Sequence, residues 1–584
     1  MSENRIFSVS CANPEITASV TPVSSCDGIH VYKITVHLPR KMKPAPVTIA
    51  WREAMRELLH AWHPQAAMHY AIHQVFGATQ SRACFQFGAP MLATIGEKGR
   101  NVQTVALSDP IIHTTLKFWV DDLPQKNEVA YSVTLFDGES DAIEAYETLL
   151  RIDTRPLPFY ETTTQVYPWW ASCGWEIPAI PAAAEDPLYS SWYNFHQNPV
   201  ADRLLKDLEI ASEMGFKTVI LDDGWQFSDP CAGDYKLCGE WQMAPEKFPD
   251  FKAFAESVHA LGMKLMVWFG MPFIGMSSPL FEVFKDRMLY AEGGYFNAGV
   301  VDIRYPEVRE FLISHYRRFL IDYDIDGFKF DFIDAFEPRE NPPPYNPDVM
   351  DYETTVDAVQ RLMTDIKEQL GAIKPDLLYE YRQTYIGPAI NGFGNMLRVC
   401  DCAYESDINR AFGVDLRLLG YPLAIHSDML FWAPDEPIRL CARQLLNILF
   451  TVPQISVILA DSTEEQKALL RAYLDYWTAN REILMHGKFC PFHPEFNYTR
   501  ITAEGADRSI TVLHDDQPYT YDGRACDVFH NGEADGLIFE NPTDKTLEAE
   551  ISVMFGAETV CKTTVAPHSL VRLPVPPAGL LRIR

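Results

Sequence analysis

Residues 200–223 read VADRLLKDLEIASEMGFKTVILDD. The first part carries its apolar residues at helical spacing, the pattern of an amphipathic helix. A short apolar strand follows, and it ends on two carboxylates, Asp222 and Asp223. The same alternation continues in both directions, from about residue 166 to 487. Eight strand candidates end near Trp192 (LYSSWYNF), Asp222 (KTVILDD), Trp268 (KLMVWF), Asp331 (GFKFDF), Glu380 (LLYEY), Asp401 (MLRVCD), His426 (LAIHSD) and Asp461 (SVILAD). Between them lie amphipathic helices such as DFKAFAESVHALGM and PEVREFLISHYRRFLIDYDI. Strand–helix alternation of this kind argues for a parallel sheet. Eight such strands are the number that closes a TIM barrel. The expected fold is therefore α/β and multidomain, with a central (β/α)8 TIM barrel over residues 163–492.

The flanks read differently. Residues 1–162 alternate short β-rich runs (GIHVYKITVHL, PVTIAW, TLKFWV, VAYSVTLF) with turn residues, which suggests an N-terminal β-sandwich. One stretch there, WREAMRELLHAWHPQAAM, has helical spacing and is expected to be an inserted helix. Residues 493–584 return to β texture (SITVLHD, GLIFEN, LEAEISVMF, HSLVRLPV) and predict a small C-terminal antiparallel sandwich. The Pro-rich NPPPYNP at 341–347 reads as a loop after the fourth barrel strand.

Composition bounds the function. A chain of 584 residues holds about three or four domain equivalents. With 47% hydrophobic and 22% charged residues it is neither a disordered chain nor a fibre. A net charge of −29 without any Lys/Arg run argues against nucleic acid and anionic membranes as partners. The 12 cysteines are scattered from Cys11 to Cys561 rather than forming a dense disulfide framework. The start, MSENRIFSVSCANPEI, has no apolar segment of the secretory type, and no run approaches the ~18 apolar residues of a spanning helix. The expectation is a cytoplasmic protein.

A barrel enzyme does its chemistry at the C-terminal ends of its strands. Here those ends supply Trp192, Asp222, Asp223, Trp225, Trp268, Lys329, Asp331, Glu380, Arg398 and Asp401. Carboxylates grip hydroxyls, Trp packs on the apolar face of a sugar, and two further carboxylates can split a glycosidic bond. Other strand-end residues have plainer readings. Asp334 and Asp461 suit capping or loop ordering. Trp169, Trp170 and Trp432 suit the core, and His426 is as readily a satisfied buried histidine as a site residue. Cys400-Asp401-Cys402 has no His/Cys partner at ligand spacing, so no metal is expected. Cys231 and Cys238 share a loop and are expected to stay free thiols.

At this point the chain resembles glycoside hydrolase family 36, the α-galactosidase family, which shares a clan with family 27. The strings that carry the resemblance are SSWYNFHQ, ILDDGWQ, GEWQMAPEKFP, LMVWF, VDIRYPEVREFL, DGFKFDFIDAF, EYRQTYIGP, GNMLRVCDC and DINRAFGVDLRLLGYPLAIHSDMLFW. The resemblance implies roles. Asp331 matches the catalytic nucleophile and Asp401 the general acid/base, with Asp407 as a rival for the second role. Asp222 and Asp223 match the pair that binds hydroxyls of the terminal galactose. Lys329 matches the basic residue beside the nucleophile. Trp192, Trp225, Trp241 and Trp268 match walls of the sugar pocket. Arg398 is expected to hold the sugar's 2-position or to orient Asp401, and Glu380 and Arg382 to contact the sugar. Asp401 must start protonated, so its pKa is expected to be raised, with Arg398 working against the raise.

Three segments depart from the better-known bacterial members. Their Cys/Gly-rich turn after the fifth strand is EYRQTY here (380–385). Their Gly-Asp-Trp is Gly239-Glu240-Trp241, and their acidic Glu-Pro segment is GMPF (270–273). The resemblance implies a retaining, exo-acting α-galactosidase without cofactor or metal, acting on raffinose-type oligosaccharides or melibiose. Near alternatives are an α-N-acetylgalactosaminidase and a transglycosylase of the raffinose-synthase kind. A catalytically silent sugar-binding protein is the alternative from another class. Family members also form homo-oligomers through the N-terminal sandwich, an expectation that extends to this chain.

Overall fold

The structure is a computed structural model that describes residues 5–54, 57–64, 72–74, 79–120, 128–228, 234–291, 297–339 and 341–584. Its central sheet has eight short strands: β1 (Leu188–Ser190), β2 (Thr218–Leu221), β3 (Lys264–Gly270), β4 (Gly327–Asp331), β5 (Leu378–Arg382), β6 (Met396–Arg398), β7 (Ala424–His426) and β8 (Gln454–Ile455). They are ordered β7-β6-β5-β4-β3-β2-β1-β8, and all neighbours are parallel. A parallel bridge between His426 and Val452 joins β7 to the chain entering β8 and brings the sheet round into a barrel.

Strand β4 shows why these residues build that layer. All five of its residues, GFKFD, are buried. Successive side chains of a strand point to opposite faces. Phe328 and Phe330 stack on each other (5.2 Å between centroids) and meet Tyr316 of the helix Pro306–Tyr323 outside the barrel. Lys329 and Asp331 take the other face, toward the barrel interior. The helices between strands start and stop on local signals. Asp250 caps Phe251–Ala260 by accepting the Ala253 amide at 3.0 Å. Gly215, at φ +107°, ends Ala201–Met214.

Two sheets precede the barrel. A five-stranded sheet (Ser8–Cys11, Val47–Ala54, Glu128–Leu135, Thr114–Val120, Thr79–Ala83) faces a seven-stranded one. Between them pack Ile49, Trp51, Phe118 and Val133 from the first and Ile34, Val36, Val105 and Leu150 from the second. After the barrel, a seven-stranded sheet starting at Lys488–Phe492 and a three-stranded sheet enclose Leu513, Val528, Phe539, Ile551 and Leu581. Most strand pairs here are antiparallel. Arg508–Leu513 with Ala525–His530, and Tyr519–Thr520 with Leu537–Asn541, run parallel. One buried carboxylate ties the three parts together: Asp415 accepts from Trp62 Nε1 at 2.8 Å and from Tyr498 Oη at 2.7 Å.

Two expectations need correction. The inserted helix at 51–68 is not formed over its described residues. Val47–Ala54 and Leu58–Trp62 are strands, and residues 55–56 and 65–68 lie outside the described residues. Trp51 pairs with Tyr131 and Leu58 with Gly96, so sheet partners override the helical spacing. The eighth strand lies earlier than SVILAD, at Gln454–Ile455, and Leu459–Asp461 is a 3₁₀ turn. Ser456 Oγ donates to the Ser190 carbonyl and accepts the Tyr193 amide, which ends the ladder there.

Candidate active site

The barrel's register assembles the site. Trp268 lies opposite Lys329, and Lys329 opposite Glu380, so these side chains share one layer. One layer higher, Asp331 faces Gly270, while Arg382 pairs with Arg398 and Arg398 with His426. Glycine is needed at 270. A Cβ there would lie 2.9 Å from Trp268 Cη2, so its absence leaves room for the indole to fold along the strand end. From that position Trp268 Nε1 donates to Asp331 Oδ2 at 3.1 Å.

Asp331 is 8% exposed and densely held. Its Oδ1 accepts Arg382 Nε at 2.6 Å and the Phe332 amide at 2.8 Å. Burial opposes its charge, but Arg382 and Lys329 outweigh burial and pull its pKa down to about 2. Arg382 also donates through Nη1 to the Gln383 carbonyl at 2.7 Å and lies over the Phe332 ring at 5.1 Å. Lys329 Nζ donates to Asp222 Oδ2 at 2.6 Å, and both side chains are buried. Asp223 accepts Gln197 Nε2 at 2.6 Å and Gln226 Nε2 at 2.7 Å, and burial lifts its pKa to about 6.

The sixth strand carries a different arrangement. The Arg398 guanidinium, 1% exposed, faces three carboxylates. Nη2 donates to Asp401 Oδ1 at 2.8 Å, Nη1 to Asp428 Oδ1, and Nε lies 3.7 Å from Glu380 Oε1. Asp428 Oδ2 in turn accepts Tyr193 Oη and the Cys402 amide, each at 2.8 Å. Burial raises Glu380 to about 7 and Asp428 to about 6. The Asp401 side chain is 56% exposed to solvent. Burial among its neighbours works to raise its pKa, but Arg398, Arg382 and Lys329 together lower it. The expectation of a raised Asp401 is therefore overturned for the ligand-free site. The cause is the number of cations within reach.

The expected residues divide by position. Asp222, Asp223, Lys329, Asp331, Arg382, Arg398 and Asp401 converge at the strand ends. Trp192 stands half-exposed just after β1, edge-on to His196. Trp225 and Trp241 are 0% and 1% exposed and pack on Phe269, and Trp225 Nε1 donates to the Trp268 carbonyl at 3.0 Å. These two are core beneath the site rather than exposed sugar walls, because the aromatic layer around Phe269 and Phe319 absorbs them. Glu380 is likewise fully buried, with Gln454 Nε2 on its Oε2, and supports Arg398 instead of presenting an open face. His426 is a satisfied buried histidine. Its Nε2 is 2.7 Å from the Ala184 carbonyl, and burial lowers its pKa to about 4. Asp407 pairs with Arg410 at 2.9 Å in the first turn of the helix Ser406–Arg417. Asp334 accepts Thr384 Oγ1 at 2.9 Å, and Asp461 sits on the 3₁₀ turn. Trp170 is core, with Nε1 on the Leu107 carbonyl, and Trp432 is 2% exposed. Cys231 lies outside the described residues. Cys238 is buried, and Gln226 Nε2 donates to its Sγ at 3.6 Å.

Asp428, Tyr193 and Tyr385 were not singled out by sequence. All three lie inside the strings quoted above, and Asp428 stands two residues after His426, on the same side of an extended chain. That spacing was the available signal. Among the described residues no group of His, Cys, Asp and Glu is arranged to hold a metal ion, and no helix is long and apolar enough to cross a membrane.

The chain thus forms a (β/α)8 barrel with paired carboxylates and cations at its strand ends, between two β-sheet regions. Residues 184–402 match the Melibiase family model. Two curated relatives are similar over part of the chain. A probable α-galactosidase G from Emericella nidulans is 30% identical over 159 residues (25% of this chain, 22% of the relative). The α-galactosidase Mel36A from Lactobacillus acidophilus is 26% identical over 147 residues (24% and 19%). These matches span about a fifth of the relatives' length. In fold, the chain is similar to a variant of the GH36 α-galactosidase AgaA from Geobacillus stearothermophilus in complex with raffinose. The TM-score is 0.64 at 12% identity, covering 99% of this chain and 87% of that one. Over the matched residues the chain is thus similar to the Melibiase family, and in fold to GH36 α-galactosidases.

Proposed function

We propose that the chain is a retaining, exo-acting α-galactosidase that hydrolyses terminal non-reducing α-galactosyl residues, with Asp331 as nucleophile and Asp401 as acid/base. The observation that carries this reading is the environment of Asp331. It is a carboxylate at the end of the fourth strand, kept ionised by Arg382 and Lys329 and oriented by Trp268. In the first step Asp331 attacks the anomeric carbon, the bond to the aglycone oxygen breaks, and Asp401 gives that oxygen its proton. In the second, water attacks the same carbon, its proton passes to Asp401, and Asp331 departs as carboxylate. Asp222 and Asp223 take sugar hydroxyls, and Trp192 offers an aromatic face to the sugar's apolar side. Asp401 is ionised in the open site. Docking a neutral sugar removes water from it, which moves its pKa upward, in the direction the acid role requires. We place the protein in the cytoplasm, a reading supported by scattered cysteines such as Cys84, Cys400 and Cys526, which stand as free thiols.

The test is release of nitrophenol from the α-galactoside and from the α-N-acetylgalactosaminide, by wild type and by Asp331→Ala. Turnover of the galactoside that disappears in the variant supports the reading. An equally active variant removes Asp331 from its role. Preference for the acetamido sugar would replace galactose as the substrate. A transfer product formed with sucrose in place of free galactose would replace hydrolysis with transglycosylation.

A further inference from the structure

The two oxygens of Asp331 are held unequally. Oδ1 receives the Arg382 Nε–H at 2.6 Å and the Phe332 amide at 2.8 Å. The Tyr385 hydroxyl stands 3.4 Å from the same oxygen, with the Phe330 carbonyl as its nearer acceptor at 2.9 Å. Among the described residues, Oδ2 receives only the Trp268 indole, at 3.1 Å. Charge-assisted bonds from a guanidinium are the strongest of these. A carboxylate oxygen with two short donors has little lone-pair density left to offer, whereas the other oxygen keeps most of its own. Arg382 itself is fixed. Nη1 is tied to the Gln383 carbonyl, and the guanidinium plane lies against Phe332 and 5.8 Å from the Tyr385 ring centre. It is the last residue of β5, within the EYRQTY segment (380–385) where this chain departs from the Cys/Gly-rich turn.

We propose that Arg382 is a positioning residue that anchors Asp331 through Oδ1, leaves Oδ2 as the attacking oxygen, and favours release of Asp331 in the second step. The proposal rests on the α-galactosidase reading and assigns a function to a residue whose expected role was a sugar contact. In glycosylation the Oδ2–C1 bond forms as the bond from C1 to the aglycone oxygen breaks. In deglycosylation the Oδ2–C1 bond breaks and both electrons return to the carboxylate, where Arg382 meets the charge. A cation on the leaving carboxylate lowers its basicity and speeds this second step, while making the first step harder. Turnover of the wild-type enzyme should then be limited by glycosylation, with little covalent intermediate accumulating. The groups facing Asp331 that share in its titration are Lys329 on β4, Arg398 and Asp401 from β6 and the loop after it, Asp334 after β4, Tyr385 after β5 and Tyr235 from the loop after β2.

The test compares wild type with Arg382→Gln and Arg382→Lys in rapid-mixing assays with dinitrophenyl α-galactoside, folding being checked by circular dichroism. Wild type should show no burst. Arg382→Gln should show a burst approaching one equivalent per site, with the ratio of glycosylation to deglycosylation rate raised about tenfold or more. Its acid limb of kcat/KM should also enter at higher pH than in wild type. Arg382→Lys, which keeps charge but not the Nε contact, should fall between and serves if the Gln variant does not fold. A purely structural role would lower both steps together and leave burst and acid limb unchanged, and that result overturns the proposal. If folded wild type turns over no galactoside, the functional reading has failed. The anchoring is then read by carbon-13 titration of the Asp331 carboxyl, which must shift upward in Arg382→Gln or the anchoring fails too.

Discussion

Asp331 and Asp401 stand at the ends of strands two apart in the same barrel, yet their surroundings are opposite in kind. Asp331 is buried against β3, β4 and β5, and each of its donors comes from the main chain or from a side chain that is itself pinned. Asp401 is half open to water and rests on one guanidinium that it shares with Asp428 and Glu380. On the roles proposed for them, an ionised nucleophile has to be present before substrate arrives, and Asp331 is ionised in the empty site. A proton donor has to be neutral only once substrate is bound, so the environment of Asp401 is left for the substrate to complete. On that proposal the difference teaches that the nucleophile's side of the site is built by the protein alone and the acid's side by protein and sugar together.

Substitution of Asp331 should give the largest effect. Asp331→Ala is expected to lower kcat about 10⁴-fold or more on every galactoside, irrespective of leaving group. Asp401→Asn should separate substrates instead. Hydrolysis of raffinose, whose leaving group needs a proton, should fall about 10²- to 10⁴-fold, and that of a nitrophenyl galactoside far less. Comparing both substrates for both variants by product release checks the contrast. Equal losses for Asp401→Asn on the two substrates would break it.

The stability of the empty site provides a third test. Lys329 and Asp222 form a buried pair at 2.6 Å with side chains 4% and 3% exposed. Lys329→Met leaves Asp222 buried and unpaired, which should cost about 3–5 kcal/mol. The expected result is a lower urea midpoint at neutral pH. On the acid's side, Asp401→Asn should move the midpoint little, because a half-exposed carboxylate loses only a solvent-screened partner.

Much of this was legible in the sequence, and the reasons are physical. The helix–strand period and the polar residue at each strand end follow from a barrel buried outside and functional at one rim, so β2 to β7 and the carboxylates on them could be read directly. Two-residue β8 could not. Its apolar run SVIL continues past the point where Ser456 leaves the ladder, and nothing local marks that exit. The strands around Trp51 and Leu58 were read as helix because their period fits one, and only partners distant in sequence decide otherwise. Trp225 and Trp241 could not be told from Trp192 by type, since an indole at a strand end packs equally well inward or toward a ligand. Asp428 was hidden because its partner Arg398 lies 30 residues away and its burial depends on Tyr193 closing over it.

Asp428 gives the smallest and finest test of the contrast. Its carboxylate bonds Arg398 on one oxygen and the Cys402 amide, next to Asp401, on the other. Asp428→Asn keeps an oxygen for the amide but removes a negative charge near Asp401 and one of the anions competing for Arg398. Both changes favour ionised Asp401 and so lower its pKa. The alkaline limb of kcat, which reports the acid in the complex, should therefore move about one unit toward lower pH. In wild type the same limb should lie above that of kcat/KM, because docking the sugar buries Asp401 and raises its pKa. If the variant leaves the kcat limb in place while kcat/KM moves, bound sugar alone sets the acid's protonation. The shared guanidinium would then matter only to the open site.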